Sequence, residues 1–364
     1  MIIQKLSLFQ FRNYERAEFA PCPGVTVLHG ANAQGKTNLL EALVLCCLGR
    51  SHRTHRDSEL IRFGQPMAQV CAATDGPDGA REISVRLSAS EGKKKEVRVN
   101  QTPIQRIGEL MGHINVVLFS PEDLRLIKDG PENRRRFLDM EISQQQPAYF
   151  YALQRYHRAL SQRNELLKKI AESSTDALLS SLTEWDALLA GAGGEIVTRR
   201  RAFIERLSEV AREAHFSLSG GREELSLRYE AKARDTDELE NFLRASRRED
   251  MRRMMTTVGP HRDDLAVLIN GRDARVFGSQ GQQRTAALSL KLSEIEVMRR
   301  DLQRSPILLL DDVMSELDVG RRNMLLSSIG DVQTVITCTD VSDLGGAAYQ
   351  AAYRVEGGTL ARCE

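Results

Sequence analysis

The segment from Gly30 to Thr37 constrains this chain more than any other stretch, because two glycines separated by four residues are followed by Lys36 and Thr37. This spacing is typical of a loop whose successive main-chain N–H groups point at one phosphate. A strand-like run at 25–28 precedes the loop and a helix-like run at 38–45 follows it, which is the context that a phosphate-binding loop requires. We therefore predict an ATP site with these ligands: Gly30, Ala31, Asn32, Ala33, Gln34, Gly35, Lys36 and Thr37.

Length and composition limit the protein to which this loop belongs. At 364 residues the chain exceeds one average domain, so we expect two lobes. The net charge of +1 gives no global basic field, so contact with nucleic acid must come from local clusters. No apolar run approaches the roughly 20 residues of a membrane span, and the N-terminus lacks the layout of a signal peptide. The six cysteines show no CxxC spacing, and we expect a cytoplasmic protein with reduced thiols.

The rest of the first lobe is expected to be a sheet. Alternating apolar and polar residues predict antiparallel strands beside the loop, at 3–11, 15–19, 68–74, 83–87 and 97–100. A continuous apolar run at 114–119 predicts a buried strand instead. Directly after it, Ser120 and Pro121 predict the start of a helix.

A change in composition marks the second lobe. From about 132 to about 253 the chain is rich in helix formers and charges, with interruptions at 191–194 and 220–221. We predict a compact bundle of helices at 149–171, 178–189 and 195–214. The expected domains are a discontinuous lobe of residues 1–130 and 254–364 and an inserted helical lobe of residues 131–253.

Strand patterns return after the helical lobe. Leu265–Ile269 and Ala274–Phe277 are separated by Asn270-Gly271, which predicts a hairpin. A long helix is expected from Gly281 to about Leu302. Two buried parallel strands should follow, at 307–310 and 332–338.

Two carboxylates end the first of these buried strands, as in a Walker B element. Asp311 can hold Mg²⁺ beside the phosphate loop, together with Thr37, and Asp312 can orient or polarise the attacking water. The segment from Ser279 to Gln283 opens the preceding helix and predicts a second anion site.

This order of motifs resembles the ABC-type ATPases of the SMC group, and the RecF family in particular. The resemblance covers Met1 to about Thr339 and is specific, since many motifs recur in one order. The further segments that carry it are Arg12-Asn13-Tyr14, Ser51–Thr54, Phe119–Leu124, Pro131–Asp139, Gly259–Asp264 and Ser315–Asp318. It implies an α/β fold, with an ABC-type P-loop ATPase lobe of mixed sheet, helices and antiparallel β part, and an inserted α-helical second lobe.

The resemblance also implies a function. It implies a weak, DNA-dependent ATPase of DNA replication and repair that binds duplex or gapped DNA, forms an ATP-dependent homodimer and acts with RecO and RecR to place RecA on DNA. Ser279 then reaches across the dimer to the γ-phosphate held by Lys36 of the partner subunit. The implied catalytic residues are Lys36, Ser279, Gln282, Asp311 and Asp312, and Arg12 and Asn13 join the nucleotide ligands.

Two departures from this pattern bear on mechanism. Asp312 stands where many ABC ATPases have Glu, and the shorter reach predicts slow hydrolysis. No His follows the strand that ends at Cys338, so Thr337 or Thr339 are candidates for the γ-phosphate sensor.

Contact with DNA and two alternative functions stay open at this level. Arginine clusters at 134–136, 199–201 and 247–253 are candidates for phosphate contact, or ordinary solvated helix faces. The alternative functions are a soluble nucleotide-binding subunit of an ABC transporter, which shares the P-loop, signature and Walker B motifs, and a P-loop kinase of small molecules, which needs no signature helix.

Overall fold

The computed structural model describes residues 1–77, 79–90, 94–173 and 175–363. Contacts divide the chain into a first unit, 1–123 with 294–364, and a second unit, 124–293. These limits differ from the predicted ones, 130/131 and 253/254. The strands and the short helix that follow residue 253 belong to the second unit, together with the helices that precede them. As functional domains, the two predicted lobes stay a prediction.

Two six-stranded sheets build the first unit. The strands of the antiparallel sheet are β1 (Ile2–Phe11), β2 (Tyr14–Phe19), β4 (Met67–Asp75), β5 (Arg81–Ser88), β6 (Lys95–Val99) and β7 (Thr102–Pro103). Those of the mixed sheet are β3 (Val25–His29), β8 (Val116–Phe119), β12 (Ile307–Asp311), β13 (Thr334–Cys338), β14 (Ala351–Glu356) and β15 (Thr359–Cys363). Their orders are β2-β1-β4-β5-β6-β7 and β15-β14-β3-β13-β12-β8. The antiparallel sheet and the buried parallel strands predicted from the sequence are confirmed.

Parallel pairing brings the ends of three strands together. Leu310 lies opposite Ile336, and Ile336 lies opposite Val27, so β12, β13 and β3 end at one edge of the sheet. Helix α1 (Lys36–Leu48) leaves this edge and is buried along almost all its length. It ends at Gly49, whose φ of 65° provides a left-handed cap. Helix α9 (Val319–Ile329) follows β12.

The helix expected at Ser120 begins as a 3₁₀ turn, Pro121–Leu124, which continues directly into the short α-helical segment Arg125–Lys128. The carboxylate of Asp123 accepts a hydrogen bond from the N–H of Ser120 at 2.6 Å and closes the turn. Other single 3₁₀ turns in the first unit lie at Asp57–Leu60, Ile107–Glu109, Val313–Glu316 and Val341–Leu344.

Helices dominate the second unit. They are α2 (Arg125–Lys128), α3 (Pro131–Gln145), α4 (Pro147–Glu172), α5 (Asp176–Leu218), α6 (Thr236–Arg253), α7 (Ala274–Phe277) and the start of α8 (Gln280–Leu302). A three-stranded sheet of order β11-β10-β9 joins them, made of β9 (Leu225–Glu230), β10 (Asp264–Ile269) and β11 (Arg272–Asp273).

Helix α5 corrects one prediction. The two helices expected at 178–189 and 195–214 are parts of one helix of 43 residues, which passes through the glycines at 191–194. A Cβ on Gly193 would lie 2.5 Å from a methyl of Leu239, and one on Gly194 would lie 2.6 Å from the main chain of Thr236. These two glycines therefore let the start of α6 approach α5, and they do not break the helix.

The hairpin at Asn270-Gly271 is confirmed, but its second strand is short. The segment Ala274–Phe277, predicted as a strand, is the helical turn α7. The carboxylate of Asp273 accepts hydrogen bonds from the N–H groups of Arg275 and Val276, which favours a helix start over continued strand pairing.

Candidate nucleotide-binding site

The loop from Gly30 to Gly35 wraps around the side chain of Lys36. The Lys36 ammonium is buried and donates hydrogen bonds to the main-chain oxygens of Gly30 at 2.6 Å and Ala31 at 3.1 Å. Ala33 has a φ of 65°, so a non-glycine residue takes the left-handed conformation inside the loop. A Cβ on Gly30 would lie 2.4 Å from the oxygen of Val355, which explains why glycine stands there. The loop geometry therefore suits a bound phosphate chain with one cation inside it.

The two predicted metal ligands lie side by side. The Thr37 hydroxyl at the start of α1 donates to Oδ1 of Asp311 at the end of β12, over 2.9 Å. The Thr337 hydroxyl donates to the same oxygen at 2.8 Å. Burial raises the pKa of Asp311, while the hydrogen bonds from Thr337 and Thr37 oppose that rise. A nearby cation would therefore stabilise the charged form of the Asp311 carboxylate.

Asp312 follows in a constrained conformation. Its φ of 52° and ψ of 23° are left-handed, and its N–H donates to the Thr337 hydroxyl at 2.8 Å. A cavity of about 140 Å³ is lined by Asp312, Asn32 of the loop and Thr339, among others. Thr337 is buried and committed to Asp311 and Asp312, so of the two candidate sensors only Thr339 is exposed at the cavity.

The Arg12-Asn13 turn between β1 and β2 supports the loop from one side. Asn13 donates to the main-chain oxygen of Gln34 at 2.8 Å, and the Tyr14 hydroxyl donates to that of Gly35 at 3.0 Å. Arg12 instead donates two hydrogen bonds of 2.8 Å to the carboxylate of Glu41 on α1. Both residues, assigned to the nucleotide by resemblance, thus hold the frame of the loop.

Glu41 is a residue that the sequence interpretation missed. Its side chain is fully buried and also accepts a hydrogen bond from Ser51 at 2.5 Å, and Arg53 lies 3.5 Å away. Burial alone would raise the Glu41 pKa, but hydrogen bonds from Arg12 and Ser51 lower it below its usual range. The available signal was a lone carboxylate in the apolar run of α1. Glu41 explains why the segments around Arg12 and Ser51 both carry family motifs.

The second missed support is the turn between β14 and β15. The N–H of Gly357 donates to the Gln34 side chain at 2.7 Å, and the N–H of Gly358 donates to the Gln34 main chain at 3.2 Å. A Cβ on Gly358 would lie 2.5 Å from the oxygen of Asn13. A Gly-Gly pair between two alternating segments was the sequence signal for this hairpin. The loop is therefore clamped by two turns, one from each sheet.

The signature segment lies in the second unit. Ser279 and Gln282 form a capping box at the start of α8: Ser279 Oγ accepts from the N–H of Gln282, and the Gln282 side chain accepts from the N–H of Ser279 at 2.8 Å. The Gln282 amide also donates to Glu223 at 2.9 Å. Ser279 is exposed, whereas both ends of the Gln282 side chain are engaged within the unit. This geometry presents Ser279 and assigns a positioning role to Gln282.

The arginine clusters differ in burial. Arg134 is buried and pairs with Asp264, and Arg200 is buried and pairs with Asp139. Arg247 pairs with Asp186. Further along α6, Arg252 and Arg253 pair with Glu249. On α5, Arg201 lies over the ring of Tyr229. Arg134 and Arg200 therefore stabilise the second unit itself, whereas Arg248, Arg252 and Arg253 are exposed on α6, so phosphate contact by the cluster at 247–253 stays a prediction.

A family model and curated relatives match nearly the whole chain. A family model described as the RecF/RecN/SMC N terminal domain matches residues 2–354. The DNA replication and repair protein RecF of Lachnospira eligens is 43% identical over 343 residues, 94% of each chain. That of Ruminiclostridium cellulolyticum is 42% identical over 374 aligned residues, with 100% of both chains covered.

Solved structures agree with the sequence relatives. A structure described as the recombination mediator protein RecF with ATP in the RecFOR pathway has a TM-score of 0.92 and 36% identity, covering 100% of this chain and 97% of that one. An Smc head domain from Pyrococcus furiosus, at a TM-score of 0.57 and 18% identity, shares the fold alone.

The fold is thus that of an ABC-type ATPase related to the SMC head. Within that class, the matches at 42–43% identity along nearly the whole chain are specific. The chain belongs to the RecF family. The alternative function, a nucleotide-binding subunit of an ABC transporter, is not supported.

Proposed function

We propose that this chain is an ATP-dependent DNA-binding protein of DNA replication and repair, which dimerises on ATP and hydrolyses it slowly. The contact between Thr37 and Asp311 beside the buried Lys36 ammonium carries the nucleotide part of this proposal. A lysine inside the loop neutralises β- and γ-phosphate charge, and Asp312 orients the attacking water from the end of β12. The solved relative described with ATP supports the same ligand.

Mg²⁺ fits the same residues. One hydroxyl and one carboxylate oxygen, 2.9 Å apart, are the kind of partial ligand set that Mg²⁺ takes when phosphates and waters supply the rest. Among the described residues, no group of three or more His, Cys, Asp or Glu side chains forms a metal cluster. We infer that Thr37 and Asp311 would hold the cation, which would supply charge neutralisation there.

The position of Ser279 supports the proposed dimer. It is exposed at the N-terminal end of the 23-residue helix α8, where the helix dipole favours an anion. In the proposed arrangement each triphosphate lies between Lys36 of one subunit and Ser279 of the other. ATP then joins the subunits, and hydrolysis releases them.

Contact with DNA is proposed for the second unit, where basic residues outnumber acidic ones. Helix α4 exposes Arg158, Lys168 and Lys169, and Lys168 pairs with Glu165 of the same helix. Exposed cations of this kind suit the phosphate backbone and predict salt-dependent, sequence-independent binding.

The proposed partners are RecR, with RecO and RecA, in keeping with the pathway given for the solved relative. A protein acting on DNA with these partners would work in the cytoplasm. None of the helices within the described ranges combines the length and apolarity of a membrane span.

A gel-mobility shift on gapped duplex, with ATP, ADP or no nucleotide, tests the proposal. We expect binding that is strongest with ATP and weakens steeply with salt. Lys36→Met should lose the ATP effect, because the γ-phosphate loses its cation. Equal binding with ATP and without nucleotide, in a protein that binds ATP, would refute the proposed coupling.

A further inference from the structure

Helix α7 exposes two large apolar side chains beside the signature. Val276 is 67% exposed and Phe277 is 68% exposed. A single exposed apolar residue is ordinary on a protein surface. An adjacent pair, two residues from the exposed Ser279, requires a reason of its own.

The turn that carries this pair is held from three directions. Asp273 caps its first N–H groups, as described above. The buried side chain of Gln283 donates to the main-chain oxygens of Ala274 at 3.0 Å and Arg275 at 3.3 Å. Gly278 donates to the oxygen of Ala274, and a Cβ on Gly278 would lie 2.5 Å from that oxygen. The last glutamine of the signature thus fixes α7 in place, so a partner meets a preformed surface with little ordering cost.

The charges around Val276 and Phe277 indicate which kind of surface can bind this pair. The exposed side chains of Arg272 and Arg275 flank the apolar pair. On the first unit, the segments that follow β12 and β13 at the nucleotide edge are acidic. Their carboxylates, beyond Asp311, are Asp312, Glu316, Asp318, Asp340 and Asp343. The basic rim of α7 is therefore complementary to the nucleotide edge of another copy of this chain.

We propose that Val276 and Phe277 are a docking contact for a second copy of this chain, made beside the nucleotide that the second copy binds. The inference rests on the proposed ATP-dependent dimer. If Ser279 reaches the γ-phosphate of the partner subunit, Phe277 lies beside that nucleotide, since two residues of main chain place its Cα within about 7 Å of the Cα of Ser279. In a two-fold dimer the contact occurs twice, so each substitution removes it twice.

Analytical ultracentrifugation with ATP and Mg²⁺ tests the contact. The test variant is Phe277→Ser, and the matched control is Leu188→Ser, which removes a side chain that is 59% exposed on α5. Loss of an apolar anchor costs on the order of tenfold per contact, so Phe277→Ser should weaken the dimer about a hundredfold. Leu188→Ser should dimerise like the unmodified chain. ATP binding and the melting temperature should be unchanged in both variants.

A second variant tests the charge. Arg275→Glu should weaken the dimer most at low salt, so that the affinity of the variant depends less on ionic strength than that of the unmodified chain.

The outcomes are distinct. A dimer of unchanged affinity in Phe277→Ser overturns this inference and leaves the ATP-dependent dimer intact. Loss of DNA binding with unchanged dimerisation also overturns it and assigns the pair to DNA instead. An unmodified chain that binds ATP but stays monomeric overturns both the inference and the proposed dimer.

Discussion

At the residue scale, Asp312 shows how the main chain sets a reactive group. The left-handed conformation turns its carboxylate out of the line of β12, and the Thr337 hydroxyl fixes its N–H. Asp311 keeps the buried position beside Thr37. Two adjacent carboxylates are thus separated into a metal ligand and a group at the cavity.

This separation gives a prediction for Asp312→Asn. ATP binding should persist, because Lys36 and Thr37 are untouched, while turnover should fall by about a hundredfold or more, the usual contribution of a positioned base. The ATP-bound dimer should live longer. Phosphate release and sedimentation on the same samples provide the measurement, with Asp331→Asn, which changes an exposed carboxylate ahead of β13, as the control. Turnover at the normal rate would assign the role to another residue.

His261 is a half-buried residue whose role is structural. Its Nδ1 lies 2.6 Å from the Tyr156 hydroxyl and its Nε2 lies 3.1 Å from the oxygen of Thr256. A neutral ring that accepts at Nδ1 and donates at Nε2 satisfies both contacts. Burial lowers the pKa of His261 to about 4. The family motif from Gly259 to Asp264 therefore includes a histidine that stays uncharged in the second unit.

Acid should destabilise the protein through His261. The unfolded chain takes up the proton near pH 6.5, before the folded one does. The stabilisation is therefore complete above that pH and is lost as the pH falls toward 4, at most about 3 kcal/mol. Urea unfolding at pH 7.5 and 5 should show this loss in the unmodified chain and a smaller loss in His261→Asn. An equal loss in both chains would mean that His261 does not contribute.

At the element scale, local patterns predicted most of the site. The spacing from Gly30 to Thr37 encodes the loop directly, and parallel strands place Asp311 at the same edge as the loop. The supports of the loop were not predictable in this way. Gln34 is held by Gly357 and Gly358, more than three hundred residues away, and no local pattern links such distant segments.

In helix α5 the sequence predicted a break that the structure does not contain. Glycine weakens helices in isolation, so Gly191 to Gly194 indicated a break. The requirement for Gly193 and Gly194 comes from the approach of α6, which only the packed structure reveals. The prediction of a strand at Ala274–Phe277 failed for a local reason. The β propensity of Val276 and Phe277 indicated a strand, but the Asp273 cap favours the helical turn α7.

Glycine substitutions in α5 should therefore have opposite effects. Gly191→Ala, where nothing lies within 4 Å of an added Cβ, should stabilise by about 0.5–1 kcal/mol. Gly194→Ala should destabilise by about 1–3 kcal/mol, because the Cβ collides with the main chain of Thr236. Thermal and urea unfolding of the two variants provide the comparison. Equal stabilisation by both would contradict the close approach of α6.

At the scale of the whole molecule, neither unit completes a catalytic site by itself in the proposed mechanism. The first unit provides Lys36, Thr37, Asp311 and Asp312, and the second provides Ser279 at the start of α8. Composite sites make hydrolysis depend on subunit encounter, so activity per chain should rise with protein concentration.

The same logic predicts complementation between two inactive variants. Lys36→Met loses the cation of the P-loop, and Ser279→Arg blocks the signature by bulk and charge, while its own Gly30–Thr37 loop still binds ATP. In a mixed dimer, the intact Lys36 of one chain faces the intact Ser279 of the other, so one of two sites is restored. Mixing should therefore recover ATP-dependent dimerisation and part of the hydrolysis, measured by sedimentation and phosphate release. Each variant alone is the control, with circular dichroism to show that it folds. If the folded variants stay monomeric and inactive when mixed, and activity per unmodified chain does not change with concentration, the shared site is excluded.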